Sequence, residues 1–559
     1  MQAPAPPLSR PTATLKYASF HDGRSTRRGQ PAATHVLEVG AGRGTTPAEP
    51  NAVNIDAPAE GDTPAEGDAP AEGDTPAEGD SPAEGDSPAE SDALDRSNER
   101  AYHMIRFGPR NLRIPKFEKS VYVVAGGLTD FRKKYPEKNS SQLCTEALRM
   151  AVEENDLKVS PEEVRRMVNW CVYSQFADHF GDQLLAAAKI HDYLGFDPLG
   201  NIEVKTGGAT GGSSILAAAQ AVASGYADCV PVIGWERMDE VPTKVGNAYI
   251  ASAACKDFES ELGWMYAAYY ALMAQRYQYE NKVPRETLAQ IACKNHEYAC
   301  YSPYSQNPGK YTIEDVLKNE VVADPLSFLE CCVMSVGAAV LFLADEDTAY
   351  KMTDQPIRLT AICGGTHTLR TADRRHMPIL LLPNETEETY KDYFSHERTE
   401  WPGFSSFLAS RMAAYLAYNM AGINDPVEDF DILETHDAFT ISDIQTYEDI
   451  GLRPYGRGRE FIESGDAYFE GRLPTNLSGG LIGTMHAVGA TGIWQIVELL
   501  WQLQGKWDKF HADPERWTRY GKKKPDDFRS LQVEGAKRAC AISHAGTGSH
   551  VTCAILEKP

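Results

Sequence analysis

The chain lacks any apolar run approaching the ~18 consecutive residues of a membrane-spanning helix, although 42% of its 559 residues are hydrophobic, the fraction of an ordinary globular protein. Its 11 cysteines include no Cys-x-x-Cys pair and follow no regular spacing. That excludes a zinc ribbon on this chain and a disulfide framework, and leaves reduced thiols in a cytosol-like compartment as the expectation. Acids are scarce in the first 50 residues, where Arg10, Lys16, Arg24, Arg27, Arg28 and Arg43 face only Asp22, Glu38 and Glu49. This composition is shared with organelle transit peptides, but the missing apolar core excludes a secretory signal, and cytoplasmic residence is the expectation.

What acid there is lies largely in one place. The net charge is −24, and from Ala57 to Asp92 six hexads of the type Ser/Thr/Ala-Pro-Ala-Glu-Gly-Asp, the last ending Glu-Ser-Asp, carry 12 negative charges. Pro/Gly/acid repeats expose almost no apolar area to offset the entropy of ordering. Residues 1–103, with the repeats at 57–92, are therefore predicted to be a disordered leader, an acidic spacer or interaction tail outside the chemistry. No nucleic-acid partner is expected of so acidic a chain.

Organised sequence starts near Val121. Val121 to Phe131 is a short apolar run closed by a glycine pair, the pattern of a buried strand entering a loop. Ser141 to Glu154 and Leu184 to Tyr193 predict amphipathic helices, and Ile202 to Lys205 and Asp228 to Gly234 predict strands, with Pro231 arguing against a central place for the latter. Trp264 to Glu280 reads as a helix carrying Tyr266, Tyr269, Tyr270, Tyr277 and Tyr279, a packed face in which one phenol could donate a hydrogen bond or a proton. Cys331 and Cys332, just before an apolar strand, read as core thiols. A second α/β half follows from about Pro356, with a strand at Ile357 to Gly364, a helix at Ser405 to Gly422 and a strand at Asp429 to Glu434.

The stretch Val204-Lys205-Thr206-Gly207-Gly208-Ala209-Thr210-Gly211-Gly212-Ser213-Ser214 reads as a strand end, a glycine turn and a helix start. Such a turn delivers one residue to a helix N-terminus, where backbone N–H groups and the positive dipole end favour an anion or a nucleophile. The residue delivered here is Gly208. Downstream stand Thr435-His436-Asp437-Ala438-Phe439-Thr440, Pro474-Thr-Asn-Leu-Ser-Gly-Gly480-Leu, Met485-His486-Ala487-Val488-Gly489-Ala490-Thr491-Gly492 and Ala541-Ile-Ser543-His544-Ala545-Gly546-Thr547-Gly548. A histidine at a strand end, or bounded by glycine before a helix, presents its imidazole at the C-terminal edge of the sheet, where open α/β sites lie.

In this order, from Val121 to Leu556, the boxes resemble the thiolase superfamily, and in particular its archaeal-type and sterol-carrier-protein-associated members, whose nucleophile turn reads roughly Cys-Ala-Ser/Thr-Gly-Gly before an alanine-rich helix. Ala323-Asp-Pro-Leu326 matches a further family signature. Gly208 stands where the family has its nucleophilic cysteine, and Met485 and Ala487 replace the usual Gly and Pro around His486. The resemblance implies an α/β thiolase fold, two similar halves (104–350 and 351–559) in five layers, α-β-α-β-α, with the site between them. It implies an acyl-CoA thioester as substrate with no further cofactor and no metal, a homodimer or tetramer, and a separate small zinc-ribbon/OB-fold partner protein. It also implies His486 and His436 as catalytic imidazoles, and Ser543 where many thiolases carry an acid/base cysteine. Gly207, Gly480, Ala545 and Gly546 would surround the substrate, with main-chain N–H groups near Gly208 and Ala545 as an oxyanion hole.

A thiolase needs a thiolate to take the acyl group, and glycine supplies none. Ser543 has no usable pKa near neutrality, so it can hydrogen-bond a thioester oxygen but not replace a base. Two histidines and an oxyanion hole can still stabilise an enolate, which suffices for aldol or retro-aldol chemistry on a β-hydroxyacyl-CoA. Three readings follow from the sequence: this enolate route, ordinary acyl transfer by a thiol recruited from Cys171, Cys255 or Cys332, and an acyl-CoA-binding subunit without catalysis.

Overall fold

A computed structural model describes residues 112–374, 379–390 and 403–559, all within the compact unit Pro88–Pro559. The acidic leader and its expected disorder lie outside the described residues. β1 (Val121–Leu128), β2 (Cys171–Ser174), β3 (Asn201–Val204), β4 (Cys229–Arg237) and β5 (Val336–Asp345) come from the first half of the chain. β6 (Ile357–Thr366), β7 (Ile432–Glu434), β8 (Arg538–Ala545) and β9 (His550–Glu557) come from the second. Their order is β3-β2-β4-β5-β1-β6-β9-β8-β7.

Taken outward from the centre, the two halves repeat one pattern. The β1/β5 and β5/β4 pairings are antiparallel and β4/β2 and β2/β3 parallel; likewise β6/β9 and β9/β8 are antiparallel and β8/β7 parallel. A parallel bridge from Leu433 to Thr475 stands where the second half's outermost strand would be. The halves meet at β1 and β6, with Tyr122 opposite Arg358 and Val123 opposite Ile357.

Helices supply the other layers: α1 (Ser140–Glu153), α2 (Thr210–Ala223), α3 (Tyr266–Asn281), α4 (Leu408–Ala421) and α5 (Val488–Gln504). α1 covers β1, β4 and β5, α4 covers β6 and β9, and α2 and α5 touch strands of both halves. The expected α-β-α-β-α order results, with α2 and α5 in the middle. A helix with sheet on both sides has no solvent face, and every residue of α5 is buried. Its polar Gln495 stitches the layers together, donating to the carbonyls of Thr435 (2.8 Å) and Ile542 (3.1 Å). α2 and α5 approach through glycine, since a Cβ on Gly492 would stand 2.5 Å from the Gly212 amide nitrogen.

Two local expectations are corrected. β4 is an interior strand despite Pro231, because its ladder with β2 begins only at Val232 and does not require the missing N–H. The helix expected from Leu184 begins at Ala186, and Leu184 and Leu185 remain exposed.

Candidate active site

The chain leaves β3 and bends at Gly207, whose φ is +62°. Thr210 locks the bend: its hydroxyl donates to the Gly207 carbonyl (2.6 Å) and accepts from the Thr206 N–H (2.8 Å). Gly208 follows at the mouth of α2. A Cβ built on Gly208 would lie 2.5 Å from the His544 carbonyl oxygen, 3.4 Å from the Ala545 Cα and 3.5 Å from His436 Nε2. The missing side chain would therefore point at a histidine, as a nucleophile's would, but a main-chain oxygen of β8 occupies its place. A Cβ on Gly207 would likewise come within 3.2 Å of the Ala545 Cβ, so the β8–β9 turn closes over the glycine turn.

Three imidazoles gather there. His436 lies two residues past β7, His486 two residues before α5, and His544 within β8. The His436 ring centroid is 4.3 Å from that of His544 and 5.1 Å from that of His486, edge-on to the latter. His436 and His544 are buried, whereas His486, Gly207 and Gly208 keep partial exposure, so solvent meets the cluster on that side. The His486 main-chain N–H donates to the Ser335 hydroxyl (3.0 Å), and its Nδ1 lies 3.0 Å from the Thr491 hydroxyl. Thr491 directs its own proton to the Ala487 carbonyl (3.2 Å). It therefore accepts from Nδ1–H, which leaves the lone pair of His486 on Nε2. His544 Nε2 pairs with the Tyr270 hydroxyl at 2.9 Å, and Tyr270 stacks on Phe439 with centroids 4.3 Å apart. One phenol of the tyrosine-rich helix α3 thus enters the cluster.

Burial pulls the His486 imidazole down to about 4. Burial, and then the neighbouring His486 and Arg374, bring His544 to about 3. Burial, reinforced by both other rings, also holds His436 well below the ordinary histidine value. At neutral pH the cluster is three neutral imidazoles, each with one donor and one lone pair. Histidine-selective NMR is expected to show none of the three titrating between pH 8 and pH 5, with turnover level over that range and falling below it as protons bind. A signal from any of them titrating near 6.5 would contradict this assignment.

The structure brings together Gly207, Gly208, His436, His486 and Ala545, and Gly546 follows in the turn, against Ser549, Leu369 and Ala253. Two expected members sit elsewhere. Alternation along β8 turns Ser543 to the opposite face, where its Oγ would be 3.0 Å from a Cβ on Gly492, at the α2/α5 crossing. His544 takes the place in the cluster. Sequence reasoning passed over it, although the period of two along β8 carried the signal. Gly480 packs against the Asp437 carboxylate, and its N–H is engaged by the Ser478 hydroxyl (3.2 Å). Asp437 in turn accepts from Leu481 N–H (2.6 Å) and Asn295 Nδ2 (2.7 Å). Gly480 therefore anchors the loop behind His436 and does not offer a donor to a thioester.

Among the described residues, no cysteine sulfur hydrogen-bonds to His436, His486 or His544. Burial pushes Cys171 and Cys332 up to about 12, and Cys331 well above the usual thiol range. Cys331 is the core thiol expected, its Sγ donating to the Ser327 carbonyl (3.3 Å), whereas Cys332 is only partly buried against that core, with its N–H tied to the Ala438 carbonyl (2.9 Å). The described residues contain no group of three or more His, Cys, Asp or Glu placed to hold a metal ion, and no helix long and apolar enough to cross a membrane.

Two family models match: Thiolase, N-terminal domain, over residues 121–345, and Thiolase C-terminal domain-like, over residues 394–516. An acetyl-CoA acetyltransferase of Methanothermobacter thermautotrophicus is 33% identical over 371 residues, covering 66% of this chain and 83% of that protein. The chain belongs to the thiolase family. Sterol carrier protein 2 of Gallus gallus is 30% identical, covering 69% of this chain and 66% of that protein. Among solved structures, the Ltp2-ChsH2(DUF35) aldolase matches with a TM-score of 0.59 at 20% identity, covering 79% of this chain and 99% of that one. Human mitochondrial 3-ketoacyl-CoA thiolase matches with a TM-score of 0.53 at 17% identity, covering 79% and 100%. At these identities the structures establish a common thiolase fold.

Proposed function

We propose that this thiolase-family protein is a C–C lyase acting on a β-hydroxyacyl-CoA through an enolate. The observation that carries the reading is the contact at Gly208, where a main-chain oxygen lies 2.5 Å from the position a nucleophile's Cβ would need. A family enzyme without a thiolate keeps the half of the chemistry that needs only proton transfer and charge stabilisation. In the retro-aldol direction His486 Nε2 takes the proton of the β-hydroxyl. The Cα–Cβ bond then breaks, leaving a carbonyl on the departing fragment and an electron pair in the thioester enolate. That proton, returned to Cα, completes a shortened acyl-CoA. His436 Nε2 faces the Gly208 turn while its Nδ1 is buried without a partner. An orphaned lone pair is less costly than an orphaned N–H, which favours Nε2–H as the donor to the enolate oxygen. Behind His436 the His544 ring lies 4.3 Å away between centroids, with its Nε2 paired to the Tyr270 hydroxyl.

The aldolase among the structural neighbours, named for two components, supports both the reaction class and a small zinc-ribbon/OB-fold partner that would help to hold the acyl-CoA. A homodimer is the form proposed in solution. Acyl transfer is the competing reading, favoured by the acetyltransferase names of relatives and opposed by the raised thiols of Cys171 and Cys332. Incubation with matched β-hydroxy- and β-ketoacyl-CoAs, with and without such a partner, separates the two. Release of an aldehyde or ketone with a shortened acyl-CoA is expected. Thiolysis that consumes free CoA, with an acyl group on a cysteine by mass spectrometry, would sink the lyase reading.

A further inference from the structure

Arg374 stands in the turn that follows β6 and is 6% exposed. Its Nη2 donates to the Gly546 carbonyl (3.3 Å) and the Thr547 hydroxyl (3.0 Å), and its Nε to the Thr368 carbonyl (3.4 Å). Nη1 is buried without a partner. Every acceptor it has is neutral, and among the described residues no carboxylate forms an ion pair with it. Glu259, the carboxylate that acts on it most strongly, is held by the Thr371 N–H and hydroxyl and by the Cys255 N–H (3.1 Å). A buried guanidinium without a counter-charge is costly, and burial brings this one down to about 10. Its hydrogen bonds tie the turn after β6 to the β8–β9 turn, a task that does not require the charge.

The charge stands beside the reaction centre. Gly546 lies two residues beyond His544, and the guanidinium acts electrostatically on His544, Tyr266 and Tyr270. The Tyr269 hydroxyl and His544 Nδ1 are also buried without partners. This wall of the site therefore holds one full positive charge, with no carboxylate hydrogen-bonded to it among the described residues, and several unengaged polar atoms, the arrangement that a bound anion completes. The phosphates of coenzyme A are at the far end of the pantetheine arm from the thioester, so an anion next to His544 must belong to the acyl part.

We propose that the substrate is a β-hydroxyacyl-CoA whose acyl chain carries a carboxylate, paired with Arg374. This rests on the lyase reading and adds the substrate class. The test compares, on the unmodified full chain, two β-hydroxyacyl-CoAs of equal length ending in a carboxylate or in its methyl ester. The carboxylate is expected to show a kcat/KM about 10- to 100-fold higher, the range of a hydrogen-bonded charged pair. Arg374→Met should bring that ratio close to one, and Arg374→Lys should keep part of it. Calorimetric Kd values for the matching acid and ester of the saturated acyl-CoAs that lack the β-hydroxyl, and so cannot be cleaved, give the same comparison without turnover. Equal kcat/KM and equal Kd in the unmodified protein overturn the proposal and leave the lyase standing. Tighter binding of the acid with no cleavage of either substrate supports the carboxylate site and overturns the lyase. An equal loss for both substrates in Arg374→Met, with no preference in the parent, assigns the guanidinium to the enolate and also overturns the proposal.

Discussion

Replacing His486 by alanine is expected to lower turnover of a β-hydroxyacyl-CoA by about 10²- to 10⁴-fold, the usual contribution of a positioned proton-transfer group. His486 is the partly exposed member of the cluster, and its Nδ1 is fixed by Thr491 so that Nε2 carries the lone pair. Loss of the imidazole removes the base, whereas the helix behind it is buried along its whole length and holds the site together without it. The thermal midpoint should therefore move little. Cys332→Ala supplies the contrast: its thiol is pushed up to about 12 by burial, and its removal should leave turnover close to that of the parent. A dead Cys332→Ala variant, together with an acyl adduct on Cys332 in the unmodified protein, would restore the acyl-transfer reading.

The second large effect is the failure of an apparently simple repair. Gly208→Cys returns the family's nucleophile to its usual position, yet its Cβ would lie 2.5 Å from the His544 carbonyl oxygen. That neighbour is backbone in a strand whose pairing with β9 runs through His544, opposite Val551, and so cannot swing away as a side-chain tip could. Either the mouth of α2 or the β8–β9 turn must shift, at a cost of about 1–3 kcal/mol if the strain resembles overpacking elsewhere. Gly208→Cys is expected to unfold at a lower temperature, to lose lyase turnover and to show no acyl-cysteine after exposure to an acyl-CoA. A variant as stable as the parent that becomes acylated at residue 208 would show that the space exists after all.

Much of the site was legible because it is written locally. Gly207-Gly208 before a small-residue helix, His436 at a strand end and His486 before a helix each occupy a place that the neighbouring residues dictate. The apolar setting of Cys331 marked it as core, and Cys332 packs partly buried against the same core. Ser543 and Gly480 were misplaced for one reason: their boxes show which residues are present but not which way a side chain faces. In β8 a shift of one residue exchanges the two faces of the strand, so His544 joined the cluster and Ser543 left it. Gly480 needed knowledge of Asp437, 43 positions earlier in the sequence, whose carboxylate fills the space above it.

The sequence alone determined the family, the two α/β halves and the absence of a cysteine at the nucleophile turn, because repeated strand–helix alternation and glycine turns are properties of consecutive residues. Only the tertiary structure decided what fills that absence. The His544 carbonyl, the triplet of neutral imidazoles and the unpaired Arg374 arise where segments from both halves converge. Their burial and mutual distances set the charge states, and no single stretch of chain carries that information.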